Sequence, residues 1–214
     1  MSFDNPKAVE IYTKKTELFP IEKQILDQLK KNATVLDLGC GTGRTTRHLA
    51  DMGHHVIGID ISPLMIQKAH ELHPDIAFKV GDATKLDFPD NIFDAVLFSF
   101  NGLDCIYPET QRTEALKEIH RVLKNGGVFI YSSHEWGATR FKWRALRRIR
   151  PYDGQYKRER TIFGDLILFY GSRETNIQQL KQAGFTDIEY YPLDGRMWRY
   201  YTCQKKIKHL EGIK

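Results

Sequence analysis

The chain has 214 residues, of which 41% are hydrophobic, 12% aromatic and 28% charged. That length suits one domain, and the composition excludes a disordered or collagen-like chain. No run of about 18 apolar residues occurs, so no membrane-spanning helix is expected, and the opening MSFDNPK lacks the apolar stretch of a secretory signal. Three scattered cysteines, Cys40, Cys105 and Cys203, are too few for a disulfide framework and suit a reducing cytoplasm. The net charge of +5 is unevenly spread: residues 1–133 carry 15 Lys/Arg against 18 Asp/Glu, and residues 134–214 carry 17 against 9. The basic last third meets an anionic or negatively polarised partner, or is simply a solvated face.

In chain order, residues 6–31 read as helix broken at Pro20, with Val9, Tyr12, Leu18, Ile21, Ile25, Leu26 and Leu29 at three-to-four spacing. Residues 33–38 form a short apolar strand that ends in glycines. Thr42 to Met52 is helical, and His55 to Asp60 is a second strand. Ser62 and Pro63 are an N-cap and first residue for a helix reaching Leu72. Ile76–Val80 and Phe93–Phe100 are strands three and four. A helix over Glu109–Leu123 is stopped by Asn125-Gly126-Gly127, and Val128–Ser133 is strand five. Thr139–Arg150 is expected to be a short amphipathic helix, and Arg173–Ala183 a helix with Gly184 at its C′ stop. Two final strands lie near Phe185–Pro192 and Met197–Gln204. Such alternation predicts an α/β fold, a doubly wound and mostly parallel sheet with helices on both faces.

The stretch Leu36-Asp-Leu-Gly-Cys-Gly-Thr-Gly43 runs from strand to helix through glycines at 39, 41 and 43. Glycine permits the sharp turn and lets a ligand lie on bare backbone at the helix N-terminus. Arg44 stands where a dehydrogenase fingerprint needs another glycine, and Asp37 would repel a pyrophosphate. That carboxylate suits a cationic ligand. Asp60 ends strand two, 21 residues after Gly39, where an acid can accept ribose hydroxyls. Asp82 follows strand three, placed to accept an adenine amino group.

On these residues, and on Val56–Ser62, Gly81–Ala83, Phe93–Phe98 and Leu123–Phe129, the chain resembles the class I S-adenosylmethionine-dependent methyltransferases, of the small ubiquinone/menaquinone-biosynthesis type. The resemblance implies a Rossmann-like seven-stranded sheet of order 3-2-1-4-5-7-6 with the last strand antiparallel. It also implies a single domain over residues 1–214, with a basic, aromatic substrate cover inserted after strand five at residues 134–170. Asp37, Gly39 and Gly41 would then line the methionine moiety of S-adenosylmethionine, Asp60 the ribose, and Ile61, Met65, Asp82 and Ala83 the adenine. Phe98 and Ser99 would face the sulfonium, and Tyr12 would close over the cofactor.

Methyl transfer from a sulfonium asks the protein mainly for alignment, worth up to roughly 7–11 kcal/mol, with a general base optional. His134, leaving strand five, is the base candidate because its ordinary pKa is near neutral. Asn101, Asp104, Trp136, Arg140 and Arg144 are candidates for holding a small-molecule acceptor, anionic or aromatic; the atom methylated and the oligomeric state stay open. Two alternatives are a nucleic-acid methyltransferase using the basic 134–164 segment, and a non-catalytic S-adenosylmethionine-binding protein. His54–His55 and His70–His73 lack companion ligands, so no metal site is expected.

Overall fold

A computed structural model describes residues 3–134, 153–161, 164–192 and 198–206. Two short helices open the chain, α1 over Pro6–Thr13 and α2 over Pro20–Leu26. Each begins with proline at its first position, where a missing N–H costs nothing. Pro20 therefore starts the second helix, in keeping with the break expected there in residues 6–31. Asn5 caps α1 by accepting from the Ala8 N–H at 2.9 Å.

Next come β1 (Thr34–Leu38), α3 (Arg44–Asp51), β2 (His55–Asp60), α4 (Pro63–Leu72), β3 (Ala77–Val80) and β4 (Phe93–Phe98). A 3-10 turn at Gly102–Cys105 leads to α5 (Glu109–Val122) and β5 (Leu123–His134). After these lie β6 (Gln155–Thr161), β7 (Gly164–Tyr170), α6 (Arg173–Gln182), β8 (Phe185–Pro192) and β9 (Trp198–Lys205). Ser62 caps α4 as expected, accepting from Met65 N–H at 3.2 Å, and Gly184 follows α6 at φ 94°.

The main sheet has the order β3-β2-β1-β4-β5-β9-β8. Strands β1 to β5 pair in parallel, and β9 runs antiparallel to both β5 and β8. Counting only strands of this sheet, the order is the anticipated 3-2-1-4-5-7-6. Strand β4 ends at Phe98 rather than Phe100 and α2 at Leu26 rather than near residue 31, and two larger details depart from the sequence reading. Strand β5 starts at Leu123 rather than Val128, because Leu123 pairs with Phe93 before the register slips and Val128 pairs with Ala95. The Asn125-Gly126-Gly127 turn is looped out of the ladder at that slip, with Gly126 at φ 77°. The other departure is the antiparallel hairpin of β6 and β7, a separate two-stranded sheet. The helix expected over 139–150 lies outside the described residues.

Successive residues of the central strands go to opposite faces, as the strand period of two requires. One face buries Val35, Ala95, Leu97, Ile130 and Tyr200 against Ile25 and Leu26 of α2 and Leu49 of α3. The other buries Leu36, Val96, Phe129, Tyr131 and Tyr201 against Leu116 and Ile119 of α5 and Leu180 of α6. Phe129, Tyr131 and Tyr201 stack in sequence across β5 and β9, with centroid spacings of 5.0 and 5.1 Å. This stack fills the sheet between α5 and α6.

Phe129, fully buried at one end of that stack, leaves a cavity when truncated. Phe129→Ala is expected to lower the free energy of unfolding by ~3–5 kcal/mol in urea titrations at unchanged m-value; a loss under ~1 kcal/mol would place the core's weight elsewhere.

Candidate functional site

In a doubly wound sheet the ligand crevice lies at the carboxyl ends of the strands. Three loops meet there. The chain leaves β1 through Gly39, Gly41 and Gly43, all at positive φ. At Gly39 two constraints coincide: φ is 65°, and an added Cβ would stand 2.7 Å from the Phe98 ring of β4. The turn is therefore bare backbone by necessity. Cys40 N–H donates to Ile59 O at 2.9 Å, and Gly81 N–H to Asp60 O at 3.0 Å, so the loops after β1, β2 and β3 are tied edge to edge.

Asp37 lies under the glycine turn, almost wholly buried. Its Oδ2 accepts from the Thr45 and Thr46 hydroxyls, each at 2.6 Å. Its Oδ1 is buried with no hydrogen-bond partner among the described residues. Burial pushes the carboxyl up to about 6, against the pull of the two threonines. An orphaned acidic oxygen beneath a glycine turn is a place for a cationic group. Asp60 accepts from Gly41 N–H through Oδ2 and from Ser62 N–H through Oδ1, both at 2.9 Å. Burial raises it as well, opposed by these backbone donors.

Beside it, Ile61 and Val80 are apolar side chains left 42% and 47% exposed, a surface suited to the face of a flat base. Met65 and Ala83 are buried behind them. Asp82 is exposed, and its Oδ1 accepts from Thr84 N–H and Oγ1 at 2.8 Å. The orphaned Asp37 oxygen, the bare turn and these two exposed side chains fit S-adenosylmethionine.

Phe98 and Ser99, expected beside the sulfonium, are both buried. The Phe98 ring is wedged against Gly39 and Gly102. Ser99 Oγ donates to Glu22, a residue that the sequence reading did not single out. Glu22 of α2 is 2% exposed. It also accepts from Arg44 Nη1 and Nη2 at 2.7 and 2.8 Å, from Phe19 N–H at 2.8 Å and from the Tyr200 hydroxyl at 2.6 Å. Burial alone would raise this carboxyl, but Arg44 foremost holds it below the ordinary range.

Above this hub the rings of Tyr12, Phe19 and Trp198 surround Phe100, at centroid distances of 5.8, 5.7 and 4.8 Å. Lys15 Nζ and the Arg44 guanidinium lie 4.2 and 5.3 Å from the same ring. Tyr12 is half-buried, and its hydroxyl is held far above the usual tyrosine range by burial first, then by the nearby Cys105 and Asp60. Its ring packs edge-on against Phe100 in the turn after β4.

Phe100 and Asn101 both adopt left-handed backbone, at φ 56° and 60°. For a bulky residue this costs roughly 1–2 kcal/mol and turns the chain abruptly at the end of β4. The turn brings Asn101 Nδ2 to 3.4 Å from His134 Nε2 at the end of β5. Asp104 is fully buried, with His134 Nδ1 3.0 Å from its Oδ2. The Tyr170 ring of β7 is 5.6 Å from the imidazole. Thus Asn101, Asp104 and His134 come together. Trp136, Arg140 and Arg144 lie outside the described residues. Among the described residues no cluster of His, Cys, Asp and Glu could hold a metal.

Comparison with known proteins gives the family and the fold. Residues 35–127 match a methyltransferase domain family. Over 193 residues the chain is 33% identical to a demethylmenaquinone methyltransferase of Paenarthrobacter aurescens, covering 86% of this chain and 75% of that protein. An S-adenosylmethionine-dependent methyltransferase structure from Methanosarcina mazei superposes with a TM-score of 0.72 at 23% identity, covering 90% of this chain and all of that one. A second structure is Burkholderia thailandensis 1,6-didemethyltoxoflavin-N1-methyltransferase with bound 1,6-didemethyltoxoflavin and S-adenosylhomocysteine. It gives a TM-score of 0.69 at 20% identity, over 94% of this chain and 83% of that one.

Glu22→Ala strands a buried guanidinium and is expected to cost ~3–5 kcal/mol in chemical denaturation. Because the folded carboxyl is held below its ordinary 4.5, its contribution is complete above that pH and fades on further acidification. The variant should therefore be less acid-sensitive than wild type in this range, and equal acid sensitivity would count against the hub.

Proposed function

The chain belongs to the class I S-adenosylmethionine-dependent methyltransferases and transfers a methyl group from that cofactor to a small-molecule acceptor; from this premise we propose which residues do the work and what the acceptor is. When bound, the cofactor supplies an electrophilic methyl carbon and departs as a neutral thioether. Asp37 Oδ1 takes its ammonium, and the backbone at Gly39 and Gly41 lines the methionine chain. Asp60 accepts from the ribose hydroxyls with lone pairs left over from its two backbone bonds. Ile61, Met65, Asp82 and Ala83 hold the adenine. Phe98 and Ser99 support the sulfonium side through the Gly39 turn and the Glu22 hub, and Tyr12 closes over the cleft.

The acceptor is a flat aromatic molecule bearing an ionisable hydroxyl. The observation that supports this reading best is the meeting of Asn101, just past β4, with His134 at the end of β5, where the Tyr170 ring lies 5.6 Å from the imidazole and Phe100 adjoins Asn101 in the chain. Such a site offers ring surface for a flat molecule and an imidazole for its proton. The Paenarthrobacter relative, named for demethylmenaquinone, points the same way. His134 acts as the base, and Asn101 and Asp104 orient the hydroxyl, Asp104 through His134 because its carboxylate is enclosed by protein groups. Residues 134–170 serve as a cover within one domain spanning residues 1–214. The β6–β7 hairpin contributes Tyr156 and Tyr170 to that cover, and Trp136, Arg140 and Arg144 are assigned to it by position. Among the described residues no helix is long and apolar enough to cross a membrane. With all three cysteines free, we assign the enzyme to the cytoplasm.

Calorimetric titration tests the cofactor assignment. Asp60→Ala should weaken S-adenosylmethionine binding about tenfold or more, the loss of a charge-assisted hydrogen bond worth ~1.5–3 kcal/mol; an unchanged affinity would refute the ribose contact. A pH series tests Asp37. In the free protein its carboxyl is raised to about 6, so below that pH a proton must leave before the ammonium can pair. Affinity should fall as the pH drops from 7 to 5, and Asp37→Asn should flatten that dependence. Incubation with methyl-labelled cofactor and either 1,4-naphthohydroquinone or total RNA tests the acceptor class. Label is expected in the hydroquinone, and label chiefly in RNA would overturn the reading.

A further inference from the structure

Behind His134 lies Asp104, and behind Asp104 a chain of groups to which the reaction as described above gives no part. Asp104 Oδ2 accepts the His134 backbone N–H at 2.6 Å and lies 3.0 Å from the same residue's Nδ1. Its Oδ1 accepts from Arg112 Nη1 and from Ser133 Oγ, both at 3.0 Å. Arg112 comes from the middle of α5, yet its side chain is only 1% exposed. It donates through Nη1 to Leu103 O at 2.6 Å, through Nε to Gln179 Oε1 at 3.1 Å and through Nη2 to Asn176 Oδ1 at 3.4 Å. The Phe169 ring lies 4.2 Å from its guanidinium carbon. Four elements thus immobilise one guanidinium: α5 itself, the 3-10 turn, α6 and β7.

The direction of the hydrogen bonds follows from the chemistry of each group. Guanidinium nitrogens are donors only, and a carboxylate accepts only. All the other partners of Asp104 are donors, so it accepts from Nδ1 as well. The proton of the neutral imidazole therefore sits on Nδ1, and Nε2 carries the lone pair. Asn101 agrees with this direction: its donor Nδ2 faces Nε2 at the long distance of 3.4 Å. Its Oδ1 is buried with no partner among the described residues. A hydroxyl entering at ordinary hydrogen-bond distance takes over Nε2 from so weak a donor.

We propose that Arg112 and Asp104 are positioning residues that fix His134 in the Nδ1–H tautomer, so that Nε2 receives the proton of the incoming acceptor. This rests on the reading of His134 as the base. In the step it serves, the acceptor's O–H bond breaks, its electron pair stays on oxygen and the proton goes to Nε2. The imidazolium formed then lies against Asp104, whose other oxygen remains bound by Arg112. Arg112 acts only through Asp104 and touches no substrate.

Long-range proton–nitrogen NMR on histidine-labelled full-length protein reads the tautomer directly, without cofactor, acceptor or turnover. Near pH 8 the wild type should show a protonated Nδ1 and an unprotonated Nε2 at His134. Asp104→Asn, nearly the same size, should shift His134 toward the Nε2–H tautomer, and Arg112→Lys, which keeps the charge but loses the fork, should do so partway. An Nε2–H imidazole in wild type, a measurement that needs no variant to fold, would overturn the proposal, as would nitrogen signals unmoved in Asp104→Asn. Methyl transfer to 1,4-naphthohydroquinone should fall about 10²–10⁴-fold in Asp104→Asn with a KM near that of wild type. Shifted nitrogen signals at unchanged turnover would uphold the positioning and remove His134 as the base, so the two claims fail separately.

Discussion

One carboxylate ties the first helices of this chain to its sheet. Glu22 comes from α2, yet its donors belong to the helix after the glycine turn, the end of β4, β9 and its own backbone entry. An ionised group so deeply buried is tolerable only where charge-assisted donors replace water nearly completely. Here they do, with the guanidinium fork of Arg44 matching both oxygens. Segments distant in sequence can satisfy that requirement in only one relative arrangement. The loop between α1 and α2 thereby comes to rest over the glycine turn, bringing Phe19 and Tyr12 into the ring cluster around Phe100. The site is bounded on this side by electrostatics more than by apolar area.

The opposite boundary follows the same physics with a different set of groups. Arg112 and Asp104 are a second ion pair, this one fully enclosed, and it too is wrapped by polar side chains from several elements. Between the two pairs run the ends of β4 and β5, where the chain leaves extended geometry through two consecutive left-handed residues. Strain of that kind persists only where the surroundings over-determine it, and a rigid ion pair on either side supplies that restraint.

How much of this the sequence disclosed depends on the range of each interaction. Strands and helices were legible because their signals are local: apolar runs, the Ser62-Pro63 start of α4, and the Gly184 stop of α6. The glycine turn with Asp37, Asp60 and Asp82 was legible because each residue sits at a strand end. Glu22 and Arg112 were not singled out, and Arg44 was noted only as the residue in place of a glycine, since each reads in sequence as an ordinary helix charge. Their partners lie far along the chain; Tyr200, for example, is 178 residues from Glu22. The β6–β7 hairpin escaped notice because Gln155–Thr161 is mostly polar and none of its residues is buried, as expected of a two-stranded sheet with only one face against the protein. The early start of β5 was hidden by glycines that end a helix and, in this fold, bulge out of a ladder.

The wedge formed by Phe98 carries a consequence for how such a chain can change. Its ring fills the space that a side chain would need at Gly39 and also at Gly102, so the loops after β1 and β4 share a single filler. Enlarging either glycine calls for a smaller residue at 98, and that would loosen the other loop. The three positions are therefore expected to drift as a unit, and the loops after β1 and β4 inherit a common mechanical history.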